Sequence, residues 1–143
     1  VDIAQVLESQ ETYQQAQQEL DRIAAQWRQE IAQQYDEIKS LYNKYQAEQV
    51  LLSDEARKQR EDEIMNKEEA VRNLQRERFG PEGALFQKRQ ELVQPVQEKV
   101  YSAIEGYAAD RGYDFIFDKG GSAGLIFSND EYDKTADIID RLD

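Results

Sequence analysis

The stretch LDRIAAQWRQEIAQQYDEIKSLYNKY, from Leu20 to Tyr45, carries a seam of Leu20, Ala24, Trp27, Ile31, Gln34, Ile38, Leu41 and Tyr45. The spacing alternates strictly between four and three residues, a mean period of 3.5. That period marks a helix that packs lengthwise along another helix. A stripe of this kind is satisfied by one neighbouring helix and needs no compact core.

Working outward, no proline or glycine interrupts the chain from Ile3 to about Leu52, and Gln, Glu, Ala and Leu dominate it. These residues favour helix. The expectation is one continuous rod of about 45 to 50 residues, roughly 70 Å long at 1.5 Å per residue. It ends at Val50-Leu51-Leu52-Ser53-Asp54, where Ser53 can cap a second helix and the chain is expected to reverse into a hairpin. The returning helix carries Ile64, Val71 and Leu74 in register, with Arg57, Lys67 and Arg78 intruding at or near the seam. Phe79-Gly80-Pro81-Glu82-Gly83 breaks it. Helix resumes at Ala84 with Leu85, Leu92, Val96, Val100, Ala103, Ile104 and Tyr107, bends at Pro95, and stops at Arg111-Gly112.

Beyond the helices, Tyr113-Asp114-Phe115-Ile116-Phe117-Asp118 alternates aromatic and β-branched residues. Lys119-Gly120-Gly121-Ser122 supplies a turn, and Ala123 to Ser128 a second run. This pattern predicts a β-hairpin. A lone hairpin is marginal in water, so its completion is expected to come from partner chains. A short amphipathic helix with Ala136, Ile139 and Leu142 on one side closes the chain, with Ser128/Glu131 and Asp133 as competing caps. The expected fold class is therefore α+β. A helical hairpin would occupy residues 3–111, and a small self-associating β-hairpin body with a C-terminal helix would be built from residues 1–2 and 112–143.

Composition removes many functions. Hydrophobic residues make up 39% of the 143, charged residues 34%, and mean hydropathy is −0.90; such material suits an elongated or oligomeric protein better than a globule. The absence of cysteine and histidine excludes thiolate nucleophiles, Cys/His zinc sites and Ser-His-Asp triads. A net charge of −12, with acidic ends and a balanced middle, argues against nucleic-acid binding and against attraction to anionic membranes. No stretch approaches the length of a membrane span. Val1-Asp2-Ile3 lacks the character of a leader, and any leader is expected to have been removed. Glu61-Asp62-Glu63 and Asn129 to Asp133 read as solvated faces, since neither has calcium-loop spacing. Lys119-Gly120-Gly121-Ser122 lacks the Walker spacing. No metal and no cofactor are expected, and no enzymatic constellation is present.

Two groups of apolar residues stand out as candidate binding positions. Tyr35, Tyr42 and Tyr45 lie on or beside the first seam, with Val50, Leu51 and Leu52 at its end and Ile64 on the return. Each packs against the opposite helix or faces outward toward a partner or client. Tyr113, Phe115, Phe117, Leu125 and Phe127 alternate along the expected β-hairpin, as an oligomer interface would.

The order of these elements resembles the Skp/OmpH family of periplasmic chaperones. Val1-Asp2 before a polar helix, the reversal near Ser53, the strand Gly112-Tyr113-Asp114-Phe115-Ile116-Phe117-Asp118 and the closing Asp133-Lys134-Thr135 helix carry the likeness, which covers nearly the whole chain. The resemblance implies a periplasmic homotrimer with helical tentacles around a cavity, an ATP-independent holdase for unfolded outer-membrane proteins. The best-known members are basic. Attraction to anionic lipid is therefore not carried over to this acidic chain. The alternative from the residues alone is a structural coiled-coil spacer or docking protein, which would not suppress aggregation of a client.

Overall fold

The computed structural model describes residues 1–121 and 124–143. All its regular elements are helical: α1 (Ile3–Ser9), α2 (Glu11–Glu48), α3 (Asp54–Phe79), α4 (Ala84–Arg111) and α5 (Thr135–Leu142), with single 3-10 turns at Gln49–Leu51 and Asp130–Tyr132. The chain divides into two compact units. One comprises Val1–Glu19 with Arg89–Asp143, and the other Leu20–Lys88.

The Leu20–Lys88 unit is the helical hairpin. α2 is 38 residues long, about 57 Å at 1.5 Å per residue. Its seam residues Ile31, Ile38 and Tyr45 pack with Ile64 and Val71 of α3, and Leu41, Leu52, Leu74 and Phe79 cover the cluster. Ser53 caps α3 by accepting from the Ala56 backbone N–H at 3.2 Å. Arg57 Nε donates to the Gln49 carbonyl at 3.0 Å and Arg60 pairs with Glu48 at 3.3 Å, so the reversal is stitched from both sides.

In the other unit, Val1, Val6, Leu7, Val96, Val100, Tyr107 and Ile138 form the core. Val6, Val100 and Ile138 are completely buried. Asp2 caps α1 through the Gln5 N–H at 3.1 Å, and α4 runs unbroken through Pro95.

Two expectations need correction. The continuous first helix is interrupted at Gln10, whose backbone is extended (φ −81°, ψ 122°). The break costs little because its freed groups are met locally. Ser9 Oγ donates to the Val6 carbonyl, Gln14 Nε2 to the Glu8 carbonyl, and the Gln10 carbonyl accepts from the Tyr13 and Gln14 amides that open α2. With its backbone turned at Gln10, α1 packs separately against α5.

The second correction concerns fold class. The expected α+β body with a β-hairpin is not found, because there is no strand among the described residues; Ser122 and Ala123, at the expected turn, lie outside them. The segment after Gly112 is extended, but it is held by the first residues of the chain. The Val1 nitrogen donates to the Phe117 carbonyl at 3.1 Å, Lys119 N–H to the Val1 carbonyl at 2.8 Å, and Ile3 N–H to Asp118 Oδ1 at 3.3 Å. Asp118 also folds the glycine turn onto itself through Gly120 N–H. The aromatics whose alternation suggested a strand pair, Phe115, Phe117 and Phe127, remain exposed. Pairing them within one chain would bury too little apolar area to stabilise an isolated two-stranded ribbon.

Candidate functional site

The hairpin separates the first candidate group by depth. Tyr45 and Ile64 are buried in the seam, and Leu52 is half-buried against it. Tyr35, Tyr42 and Leu51 are exposed, at 42%, 48% and 84%. Only the exposed three are free to meet another molecule without loss of the hairpin core.

Geometry places the two exposed tyrosines on one side. Tyr35 follows Gln34 of the α2 seam, Gln75 follows Leu74 of the α3 seam, and the Tyr35 hydroxyl lies 3.5 Å from Gln75 Oε1. The residue just after a seam position on either helix therefore projects to the same side of the pair. Tyr42 follows Leu41, one heptad on from Tyr35. Met65 follows Ile64 and is exposed; its register puts it on that flank of α3, farther round from the seam than Gln75. Val50 and Leu51, both more than four-fifths exposed, stand at the reversal. Met65 was not among the candidates read from the sequence. Its signal was the register of α3 against α2, which no single-helix pattern contains.

Tyr45 is tied to the opposite helix by donating to Glu61 Oε1 at 2.5 Å. That bond, then burial, raises the Tyr45 hydroxyl above its ordinary value. In the other unit Tyr107 donates to Asp137, with the same consequence and the same leading cause. A raised tyrosine stabilises the fold below about pH 10, its ordinary value, and loses that contribution as pH rises through the raised one. An ultraviolet titration should therefore show a late phase of tyrosinate formation. Tyr45→Phe and Tyr107→Phe should each remove part of it, and a late phase unaltered in both variants would contradict these assignments.

Where α3 ends, five side chains interlock. Arg78 grips the Glu30 carboxylate with both terminal nitrogens, at 2.5 and 3.3 Å, and its guanidinium carbon sits 5.0 Å over the Trp27 ring. The Phe79 ring meets Trp27 edge-on at 6.1 Å, and Arg28 lies over Phe79 at 5.5 Å. Alternating cations and rings gain from the ring quadrupole, and a forked ion pair fixes orientation as well as distance. Arg78, read from the sequence as an intrusion, is thus the residue that ends the hairpin in register.

The second candidate group lies in the other unit. Tyr113 rests against Tyr107 with ring centroids 6.1 Å apart, while Phe115 and Phe117 stack on each other at 6.2 Å. Phe115 is 78% exposed and Phe127 82%, with Phe117 and Leu125 also outside; Ile126, missed from the sequence, is wholly exposed. Beside them lies a cavity of about 380 Å³ lined by Val1, Tyr113, Phe115, Phe117, Leu125 and Tyr132, among others. So many exposed rings and aliphatic side chains in one segment are of the kind that marks an interaction surface.

A polar clasp supports it. Lys119 Nζ donates to Asp133 at 2.7 Å, the Thr135 hydroxyl and amide both donate to Asp133, and Asp2 N–H donates to Thr135 Oγ1 at 2.8 Å. Lys119, then Thr135, holds the Asp133 carboxyl well below the usual aspartate range. A lowered carboxyl contributes stability fully above about pH 4 and loses it as pH falls toward the lowered value. Asp133→Asn should therefore destabilise this unit at pH 7 and lose most of that effect in strong acid. Denaturant unfolding at a series of pH values measures it, and an equal deficit at every pH would exclude the charge as the cause.

Over residues 1–142 the chain matches the family described as Outer membrane protein (OmpH-like). The chain belongs to the OmpH-like family. Membership supports a chaperone type of role outside the cytoplasm, in a family that is not enzymatic. No individual curated protein matched the chain. Among the described residues no helix is long and apolar enough to cross a membrane.

Proposed function

We propose that the protein is an ATP-independent holdase that keeps unfolded outer-membrane proteins from aggregating in the periplasm. The observation that carries this reading is the one-sided display of Tyr35, Tyr42 and Met65, with Val50 and Leu51 at the reversal, on a hairpin whose charges nearly cancel. Leu20–Lys88 has a net charge of −2 and the rest of the chain −10. A client segment of either sign meets little net repulsion on the hairpin, while the apolar side chains offer contacts that are individually weak. Many weak contacts confine a chain through effective concentration and release it without nucleotide, because none is tight by itself. The acidic unit adds attraction for basic client segments, an effect that salt weakens.

In this reading three copies assemble through the apolar surface of Tyr113, Phe115, Phe117, Leu125 and Phe127, and their hairpins surround the client. Phe115 and Phe127 would be costly to leave in water, and closed rings are the common fate of such surfaces. Light scattering on the purified chain, with and without a urea-unfolded outer-membrane β-barrel protein diluted into it, tests both parts. The expected result is a mass near three chains that rises by one client as turbidity is suppressed. Replacing Tyr35, Tyr42 and Leu51 together by serine should raise the amount of protein needed for suppression about tenfold, the loss of several exposed apolar contacts, with the trimer intact. Undiminished suppression by that variant would rule out the tyrosine side. An oligomer that leaves the client to aggregate would point to a passive spacer.

A further inference from the structure

We propose that Met65 is a modification site, at which oxidation of the thioether by a hydroperoxide weakens the grip of the Tyr35–Tyr42 side on a client; this rests on the holdase reading. The chain has one methionine and no cysteine, so Met65 holds its only sulfur. The side chain is 63% exposed, and its register puts it on the Tyr35–Tyr42 flank of the hairpin. Its neighbour Ile64 is buried in the seam. Oxidation at Met65 therefore changes the outer surface and leaves the packing of α2 on α3 in place. The other readily oxidised side chain of the hairpin, Trp27, carries Arg78 over its face and Phe79 against it.

The chemistry is self-contained. A sulfur lone pair attacks one peroxide oxygen, the O–O bond breaks and an S–O bond forms. The departing oxygen takes up the proton and leaves as water or an alcohol. Sulfur loses two electrons and the peroxide gains them. The product is a sulfoxide, polar and stiffer than the thioether that adapts to irregular apolar partners. It is reversible by reduction, so the change is a switch rather than damage. Near Tyr42, at the reversal end of that flank, a polar oxygen makes the local surface less favourable for apolar client segments.

The test uses the full chain and a Met65→Leu variant. Each is exposed to hydrogen peroxide, cleared with catalase, checked by mass for one added oxygen, and titrated against the urea-unfolded β-barrel protein. Wild type should gain one oxygen at Met65 and need about two- to fivefold more protein for equal suppression, a loss smaller than removal of a whole side chain. Met65→Leu should gain none, and the amount of it needed for suppression, whatever its untreated value, should not change with the treatment. Methionine sulfoxide reductase should restore the oxidised wild type. Complete oxidation with unchanged suppression overturns the proposal, as does resistance of Met65 to peroxide, or an equal loss in Met65→Leu. If the oxidised protein is unimpaired while the triple serine variant fails, the holdase reading stands without the switch. If untreated wild type does not suppress aggregation, the holdase reading itself falls.

Discussion

Ile138→Ala is expected to lower the stability of the unit formed by Val1–Glu19 and Arg89–Asp143 by about 2–4 kcal/mol, the range for truncating a fully buried aliphatic side chain. Ile138 is completely enclosed and shares a core with Val6, Val100 and Tyr107. Three features push the effect toward the upper end. α5 has eight residues, too few to persist without tertiary contacts. Its first residue, Thr135, belongs to the Asp133 clasp, and Asp137 accepts from Tyr107. A vacancy beneath Ile138 therefore loosens polar contacts on both sides of it. Amide exchange should show α5 and the 113–121 segment losing protection together. Trp27, in the other unit, should report a nearly unchanged fluorescence transition. A deficit under about 1 kcal/mol would mean that the site collapses around the smaller side chain.

Gly80→Ala should destabilise the hairpin unit by about 2–3 kcal/mol, the scale on which a forced backbone shift destabilises. A methyl group at residue 80 would sit well inside contact distance of the Arg76 carbonyl oxygen. The obstacle is backbone, so no rotamer relieves it. At Gly83 an added carbon would lie 2.8 Å from the Glu77 oxygen and 2.9 Å from that of Gly80, and Glu82 between them takes a left-handed φ of 56°. The chain folds tightly onto the last turn of α3, which holds Arg78 and Phe79 against Trp27. The variant should show a changed Trp27 emission as well as a lower denaturation midpoint. A lower midpoint with wild-type emission would mean that the interlock does not depend on this turn. Gly112→Ala makes a useful contrast, because its φ of +70° strains an alanine while nothing lies within 4 Å to be displaced.

The helices were legible because their signal is periodic. The 3.5-residue seam of Leu20 to Tyr45 located the partner-facing side of α2, and Ser53 and Gly80-Pro81 marked where α3 begins and ends. Gln10 carried no such signal, since glutamine favours helix and the interruption there depends on contacts between α1 and α5 made across the length of the chain. The alternation from Tyr113 to Asp118 was real, with Ile116 turned toward the core and Phe115 and Phe117 away from it. An extended segment becomes a strand only when another edge pairs with it. The hydrogen-bond partners it found were residues 1–3. Of the candidate binding residues, the sequence located those near the seam and left open which of them face outward. Tyr45, a seam position, is buried, while Tyr42, one residue past the seam position Leu41, is exposed.

The unit that contains both ends of the chain is discontinuous in sequence, and this fixes an order of events. Its two parts cannot meet until the intervening Leu20–Lys88 has closed a loop of about 70 residues, which in an unstructured chain costs on the order of 4 kcal/mol in entropy. The hairpin's own contacts span shorter separations, so it is the natural first structure. Once α3 has folded back along α2, most of that closure has already happened, and the Val1 hydrogen bonds to Phe117 and Lys119 can form late at little further cost. During its own synthesis, the protein would therefore complete its hairpin before the discontinuous unit, with its exposed Phe115 and Phe127, has formed.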